Sequence, residues 1–150
     1  VRQPAYADFT YKGNEEARRK MDQGGLITLG DMGYLDEEGF LYVCDRDSDM
    51  VISGGVNIYP AEIENELLKH PGIADCAVIG VPDDYHGEMP RAYATLNADV
   101  RAPSAEALRD WLNSRVGKHE RVDEVVIRKE LPVTMVGKLD RKALRQEVLG

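Results

Sequence analysis

A lysine directly after a glycine, in a loop shortly after a proline, can act as a flexible ammonium. It can neutralise charge building on a phosphate or carboxylate oxygen. Lys138 holds that place in Pro132-Val133-Thr134-Met135-Val136-Gly137-Lys138. It would serve equally as a solvated cation ahead of a helix. The segment is not a P-loop, because Pro132 stands where the first glycine belongs and Leu139 where Ser or Thr would bind magnesium. Asp31, in Gly30-Asp31-Met32-Gly33, offers a carboxylate for a ribose diol or else sits in a turn. Arg46 lies among Asp45, Asp47 and Asp49, a setting for an ion pair. Gly54-Gly55, after an apolar run, permits close approach of a ligand to the backbone, or forms a plain turn. His70, His86 and His119 share no ligand spacing, and no His/Cys cluster or Gly-x-Ser-x-Gly elbow occurs. No metal site is expected.

The elements that must hold these residues can be read from apolar periodicity and turn signals. One helix is expected around Asn14–Asp22 and a short strand over Leu26–Leu29. Tyr34-Leu35 and Phe40–Val43, around Asp36-Glu37-Glu38-Gly39, predict a β-hairpin. Met50–Ser53 reads as a buried strand that leads into the Gly54-Gly55 turn. A helix begins near Pro60, with Glu62 and Glu64 at its positive end, Lys69 and His70 at the other, and Pro71-Gly72 as its stop. Ala74–Val81 and Ala92–Leu96 are strands around a loop over Pro82–Pro90. Ser104 caps a helix with Leu108, Trp111 and Leu112 facing inward. Val122–Ile127 is a strand, Pro132–Lys138 a loop, and Asp140 the cap of a last helix carrying Leu144 and Val148. From about residue 47 this order predicts an α+β fold, a small antiparallel or mixed sheet with helices packed on it. Residues 1 to about 45 hold too few apolar positions for a core and read as the tail of a neighbouring β-containing domain.

A chain of 150 residues accommodates one domain with its own core, or a small domain plus part of another. It begins with Val1 rather than Met, which hints at processing or at a piece cut from something longer. The net charge of −8 repels a polyphosphate backbone and argues against broad nucleic-acid binding, though not against one nucleotide held by a local cation. No apolar run approaches the roughly 20 residues of a membrane span, and no signal peptide is seen. Cys44 and Cys76 read as free buried thiols, which suits a reducing cytoplasm.

Read in order, four motifs carry a resemblance. They are Leu-Gly-Asp-Met-Gly-Tyr (29–34), the run from Asp45 to Glu64 containing Ser-Gly-Gly-Val-Asn-Ile-Tyr-Pro-Ala-Glu-Ile-Glu, Val-Ile-Gly-Val-Pro-Asp-Asp-Tyr-His-Gly-Glu (78–88), and Pro-x-x-x-x-Gly-Lys-x-x-Arg (132–141). Together they resemble the C-terminal part of the adenylate-forming superfamily. The wording of the second motif is most similar to fatty-acid and aryl-acid CoA ligases. The resemblance implies an acid–thiol ligase that joins a carboxylic acid to CoA through an acyl-adenylate, with ATP and CoA as co-substrates. Magnesium would be held by ATP and the missing N-terminal domain. It implies that residues 1–46 end that large domain and that 47–150 form a mobile C-terminal lid. Carried over, Lys138 would be catalytic, Asp31 and Arg46 nucleotide-binding, and Ser48 the hinge. Gly54, Gly55, Val56 and Asn57 would line the CoA path. The partners implied are small molecules and the missing N-terminal domain, and the chain alone would be inactive. Two other readings stand beside this one: an adenylation domain that loads a carrier protein, and a non-catalytic binding module. The chain departs from the family where His119-Glu120-Arg121-Val122 replaces the usual Tyr-Lys-x-Pro. It departs again at Val133 and Val136, where Arg and Ser or Thr are common, so no phosphate or CoA contact is carried over to these positions.

Overall fold

In a computed structural model, residues 15–23, 26–28, 30–46, 48–98 and 100–150 are described. They form two compact units, Val1–Ser48 and Asp49–Gly150.

The first unit contains α1 (Glu15–Lys20), a two-residue pairing of β1 (Asp22–Gln23) with β2 (Leu26–Ile27), and a hairpin of β3 (Asp31–Leu35) and β4 (Leu41–Arg46). Asn14 and Leu29 of the expected elements lie outside the described residues. The acidic hairpin turn forms as anticipated. Asp36 accepts from the backbone N–H groups of Phe40 (2.9 Å) and Glu38 (3.0 Å), and these bonds, the Phe40 bond foremost, hold its carboxyl below the ordinary range. Gly30-Asp31-Met32-Gly33 is not a turn. Residues 31–33 run in β3, with a bulge between Met32 and Gly33. A Cβ at Gly33 would lie 2.4 Å from the Tyr42 carbonyl oxygen, so only glycine fits where the two backbones close up.

The second unit is a five-stranded mixed sheet with helices on both faces. Its elements are β5 (Val51–Ser53), β6 (Val56–Ile58), α2 (Pro60–Leu67), β7 (Ile73–Asp83), β8 (Gly87–Leu96), α3 (Ala105–Asn113), β9 (Val125–Arg128) and α4 (Arg141–Leu149). The strand order is β6-β5-β8-β7, and β9 pairs in parallel with β8 over Ala92–Thr95. β7 and β8 form the long antiparallel centre. Alternate residues of these two strands enter different cores. Cys76, Val78, Ala92 and Ala94 pack with Ile63 and Leu67 of α2 and Leu108 and Leu112 of α3. Ala77, Ile79, Val81 and Tyr93 pack with Leu144 of α4 on the other side. Two covered faces explain why Ala74–Val81 is almost continuously apolar rather than alternating.

The α+β fold is as expected, with four local differences. β6 was not anticipated. Pro82–Pro90 is mostly strand, since Pro82 pairs with Glu88 and Pro90 with Gly80, which leaves only a tight turn at residues 84–86. α2 stops at Leu67 with Leu68 as its cap, so Lys69 and His70 fall beyond it, and Lys69 bonds to Glu66 instead. The last strand begins at Val125 rather than Val122. Both predicted caps form: Ser104 Oγ accepts from Ala107 N (3.2 Å) and Asp140 Oδ1 from Ala143 N (3.0 Å). Trp111 is only half-buried, with Arg115 stacked over its ring.

Candidate functional site

In the first unit, the β3–β4 register sets Asp31 opposite Arg46 at the open end of the hairpin. Asp31 Oδ1 lies 3.7 Å from Arg46 Nε, and both side chains are well exposed. A loose, solvated pair of this kind contributes little to stability and leaves both groups accessible to a ligand. Of the acidic neighbours considered for Arg46, the Asp45 side chain and Asp47 lie outside the described residues. Asp49 belongs to the second unit, where Arg141 and Arg145 engage it. Ser48 is an exposed turn residue and the last residue of the first unit.

In the second unit, Ser53 pairs with Val56, so Gly54 and Gly55 are the two central residues of a tight hairpin. Their φ values are 56° and 82°, the double left-handed geometry of the hairpin turn that best matches strand twist. Gly54 donates its N–H to the His86 carbonyl (2.8 Å), which seats this turn against the β7–β8 turn. There Asp83 Oδ1 accepts from the backbone N–H groups of His86 (2.7 Å) and Tyr85 (3.0 Å) and faces His86 Nδ1 at 3.0 Å. These bonds hold Asp83 below the ordinary carboxylate range. Val56 and Asn57 follow on β6 and are exposed.

Lys138 lies at the end of a second small hairpin. Thr134 donates its N–H to the Lys138 carbonyl, Gly137 to the Thr134 carbonyl, and Lys138 to Thr134 Oγ1 (3.2 Å). Val133 bridges Leu139, and Asp140 donates to the Pro132 carbonyl (2.8 Å). The lysine is exposed, and its ammonium ion-pairs with none of the described residues. Val133, Met135 and Val136 around it are exposed as well. The backbone is braced while the cation is left available, as a charge-neutralising role requires.

Sequence reasoning missed what stands beneath this hairpin. Arg141 Nη2 reaches both Glu64 oxygens (2.8 and 2.7 Å), and its Nη1 lies 3.8 Å from Asp49 Oδ2. Arg145 bonds the Asp49 carboxylate (3.3 Å) and carbonyl (3.2 Å). Glu64 Oε1 also accepts from the Val78 N–H on β7 (2.7 Å). The available signal was Arg141 and Arg145 one turn apart on α4, a cationic face in need of a partner. Cys76 is buried beneath Glu64, and burial pushes its thiol up to about 12, so it is an inert packing residue. The Cys44 side chain lies outside the described residues. Among the described residues no group of three or more His, Cys, Asp or Glu could hold a metal ion, and no helix is long and apolar enough to cross a membrane.

Residues 62–138 match the model of the AMP-binding enzyme C-terminal domain. This chain belongs to that family. Over 138 residues it is 43% identical to a 2-succinylbenzoate–CoA ligase of Bacillus cereus, a match that covers 92% of this chain and 28% of that protein. It is 44% identical to a long-chain-fatty-acid–CoA ligase of Bacillus subtilis, covering 89% of this chain and 23% of that one. The o-succinylbenzoate CoA synthetase of Bacillus subtilis, solved with its acyl-adenylate intermediate, superposes with a TM-score of 0.78 at 43% identity. That match covers 91% of this chain and 28% of the synthetase. The chain therefore spans about a quarter of the length of the relatives it matches.

Proposed function

We propose that this AMP-binding C-terminal domain is part of an ATP-dependent acid–CoA ligase. The whole enzyme would convert a carboxylic acid, ATP and CoA to acyl-CoA, AMP and pyrophosphate. The observation that carries the reading is Lys138. It is an exposed ammonium on a hydrogen-bonded hairpin, in a chain whose relatives are CoA ligases. In the first half-reaction a carboxylate must approach an anionic phosphate. Lys138 would stand between them and offset that repulsion. Asp31 and Arg46 would hold the nucleotide on the ribose side, with residues 1–46 ending the larger adenylation domain. Rotation about Ser48 would then swing the 47–150 lid and bring the Gly54–Asn57 turn to the CoA path. Magnesium would arrive with ATP and be held by parts of the enzyme outside this chain. Among acids, a fatty or aryl acid is favoured by the two relatives above, and a cytoplasmic setting by the two cysteines read as free thiols.

The two half-reactions of the longer ligase test this. Lys138→Ala should slow adenylate formation at least about 100-fold, on the order of 3 kcal/mol for a lost preorganised charge contact. Thioester formation from supplied acyl-adenylate and CoA should stay near normal. Equal slowing of both steps, or of neither, overturns the role given to Lys138.

A further inference from the structure

Arg141 stands three residues beyond Lys138, at the first position of α4, and its side chain reaches Glu64 on α2 and Asp49 in the turn ahead of β5. Its partner Glu64 is on α2, which packs against the opposite face of the sheet from α4. β7 ends the strand order, and Glu64 binds the Val78 N–H of β7 with the same carboxylate that receives Arg141. The Arg141–Glu64 pair therefore clamps the helices of both faces around β7. Asp49, the first residue of the second unit, is tied into the clamp by Arg141 and Arg145. The four side chains are between 12% and 28% exposed, so the network is shielded from solvent, unlike the Asp31–Arg46 pair. One guanidinium nitrogen held between both carboxylate oxygens, with the other turned to Asp49, makes charge-assisted contacts in two directions and so restricts how Arg141 can move.

The Lys138 hairpin is rooted on the residues this clamp immobilises. Asp140 closes the hairpin through Pro132 and caps α4 through Ala143, and Arg141 follows it directly. We propose that Arg141 is a positioning residue for Lys138. Through Glu64 and Asp49 it couples the lysine hairpin rigidly to the chain that leaves Ser48, so that any movement there carries Lys138 along as part of one body. This rests on the ligase reading, which supplies the reaction in which the position of Lys138 matters.

In the longer ligase, Arg141→Ala and Glu64→Gln should each slow adenylate formation by about 10- to 100-fold, as expected when a catalytic group is displaced by about 1 Å. Thioester formation from supplied adenylate should change by less than about 3-fold. The double variant should be no slower than the worse single one, because both break one contact, and Arg141→Lys should recover part of the loss. Arg91→Gln breaks a different part-buried pair, with Asp123 (2.9 Å), which shares no residue with the clamp. At a similar loss of thermal stability it should leave adenylation intact. Should Arg141→Ala destroy the fold, Glu64→Gln carries the same test. Hydrogen exchange on the 150-residue chain gives a second readout, in which Glu64→Gln should speed exchange over residues 132–140, beyond its direct effect on the Val78 N–H that it bonds, and leave β8 unchanged. The proposal is overturned if the Arg141 and Glu64 variants slow both half-reactions alike or neither, or if Arg91→Gln slows adenylation equally. If Lys138→Ala leaves adenylation normal, the ligase role of the lysine fails first. If only the Arg141 and Glu64 variants are normal, the clamp alone fails.

Discussion

Glu62 opens the first turn of α2 close to Glu120, an arrangement of two carboxylates that no single stretch of sequence reveals. Partial burial, and then the hydrogen bond and charge of Glu120, raise the Glu62 pKa above its ordinary 4.5. A carboxyl whose pKa is higher in the folded state favours folding while protonated. That contribution is complete below about pH 4.5 and is lost as pH rises through the higher folded value. At neutral pH the pair is a net repulsion, so Glu62→Gln should raise thermal stability there, by up to about 1 kcal/mol for a solvent-screened pair. The gain should shrink toward zero as melts are repeated below pH 4.5. A neutral-pH melting temperature equal to or below that of the parent would contradict the assignment. Arg46 presented the reverse situation. Its type and motif position were legible in the sequence, but its partner was not, because Asp31 meets Arg46 only through the β3–β4 register, just as Asp49 meets Arg145 across 96 residues.

At the scale of elements, strongly periodic or capped segments were legible: the Asp36–Gly39 hairpin, both capped helices, and the apolar run of β7. The misses have physical causes. Pro82 and Pro90 punctuate the sequence as loop residues do, yet long antiparallel pairing absorbs both into strands, and the turn shrinks to residues 84–86. β6 is three residues long with only Ile58 buried, too short to show a period. It exists because Gly54-Gly55 closes a two-residue hairpin onto β5. That turn makes its own prediction. At φ 82° Gly55 has open space where a Cβ would stand, so a larger residue meets no clash and only the left-handed backbone penalty applies. Gly55→Val should cost about 1–2 kcal/mol in a denaturant melt. Under the ligase reading it should also impair thioester formation more than adenylation, because a side chain would enter the proposed CoA path. A variant as stable as the parent would mean that this turn relaxes to another type.

The two units differ in how well they satisfy themselves, and this decides the behaviour of the whole molecule. In the second unit, two apolar clusters fill both faces of the sheet, and Val51, Ile63, Val78, Leu112 and Leu144 are fully buried. In the first, the hairpin leaves Tyr34, Leu35, Phe40, Leu41, Tyr42 and Val43 exposed. Tyr34 stacks on Tyr42 at 5.1 Å, and Leu35 pairs with Leu41 on the opposite side. Apolar side chains on both sides of one short hairpin make a surface that isolated domains rarely present, and the relatives this chain matches are roughly three times its length, which leaves room for a cover. The ligase reading makes that cover the larger adenylation domain, and it follows that the 150-residue chain alone should release no pyrophosphate from ATP with any of a panel of carboxylic acids. Its packing gives a sharper test. Local opening costs little where few buried contacts must be broken, so hydrogen exchange on the chain alone should be faster for the amides of β3 and β4 than for those of β7 and β8. In the longer ligase the β3–β4 amides should slow toward the rate of the sheet, while β7 and β8 stay as they were. Equal protection of both regions in the chain alone would mean that the hairpin needs no partner, and the exposed aromatic and aliphatic side chains would then require a different explanation.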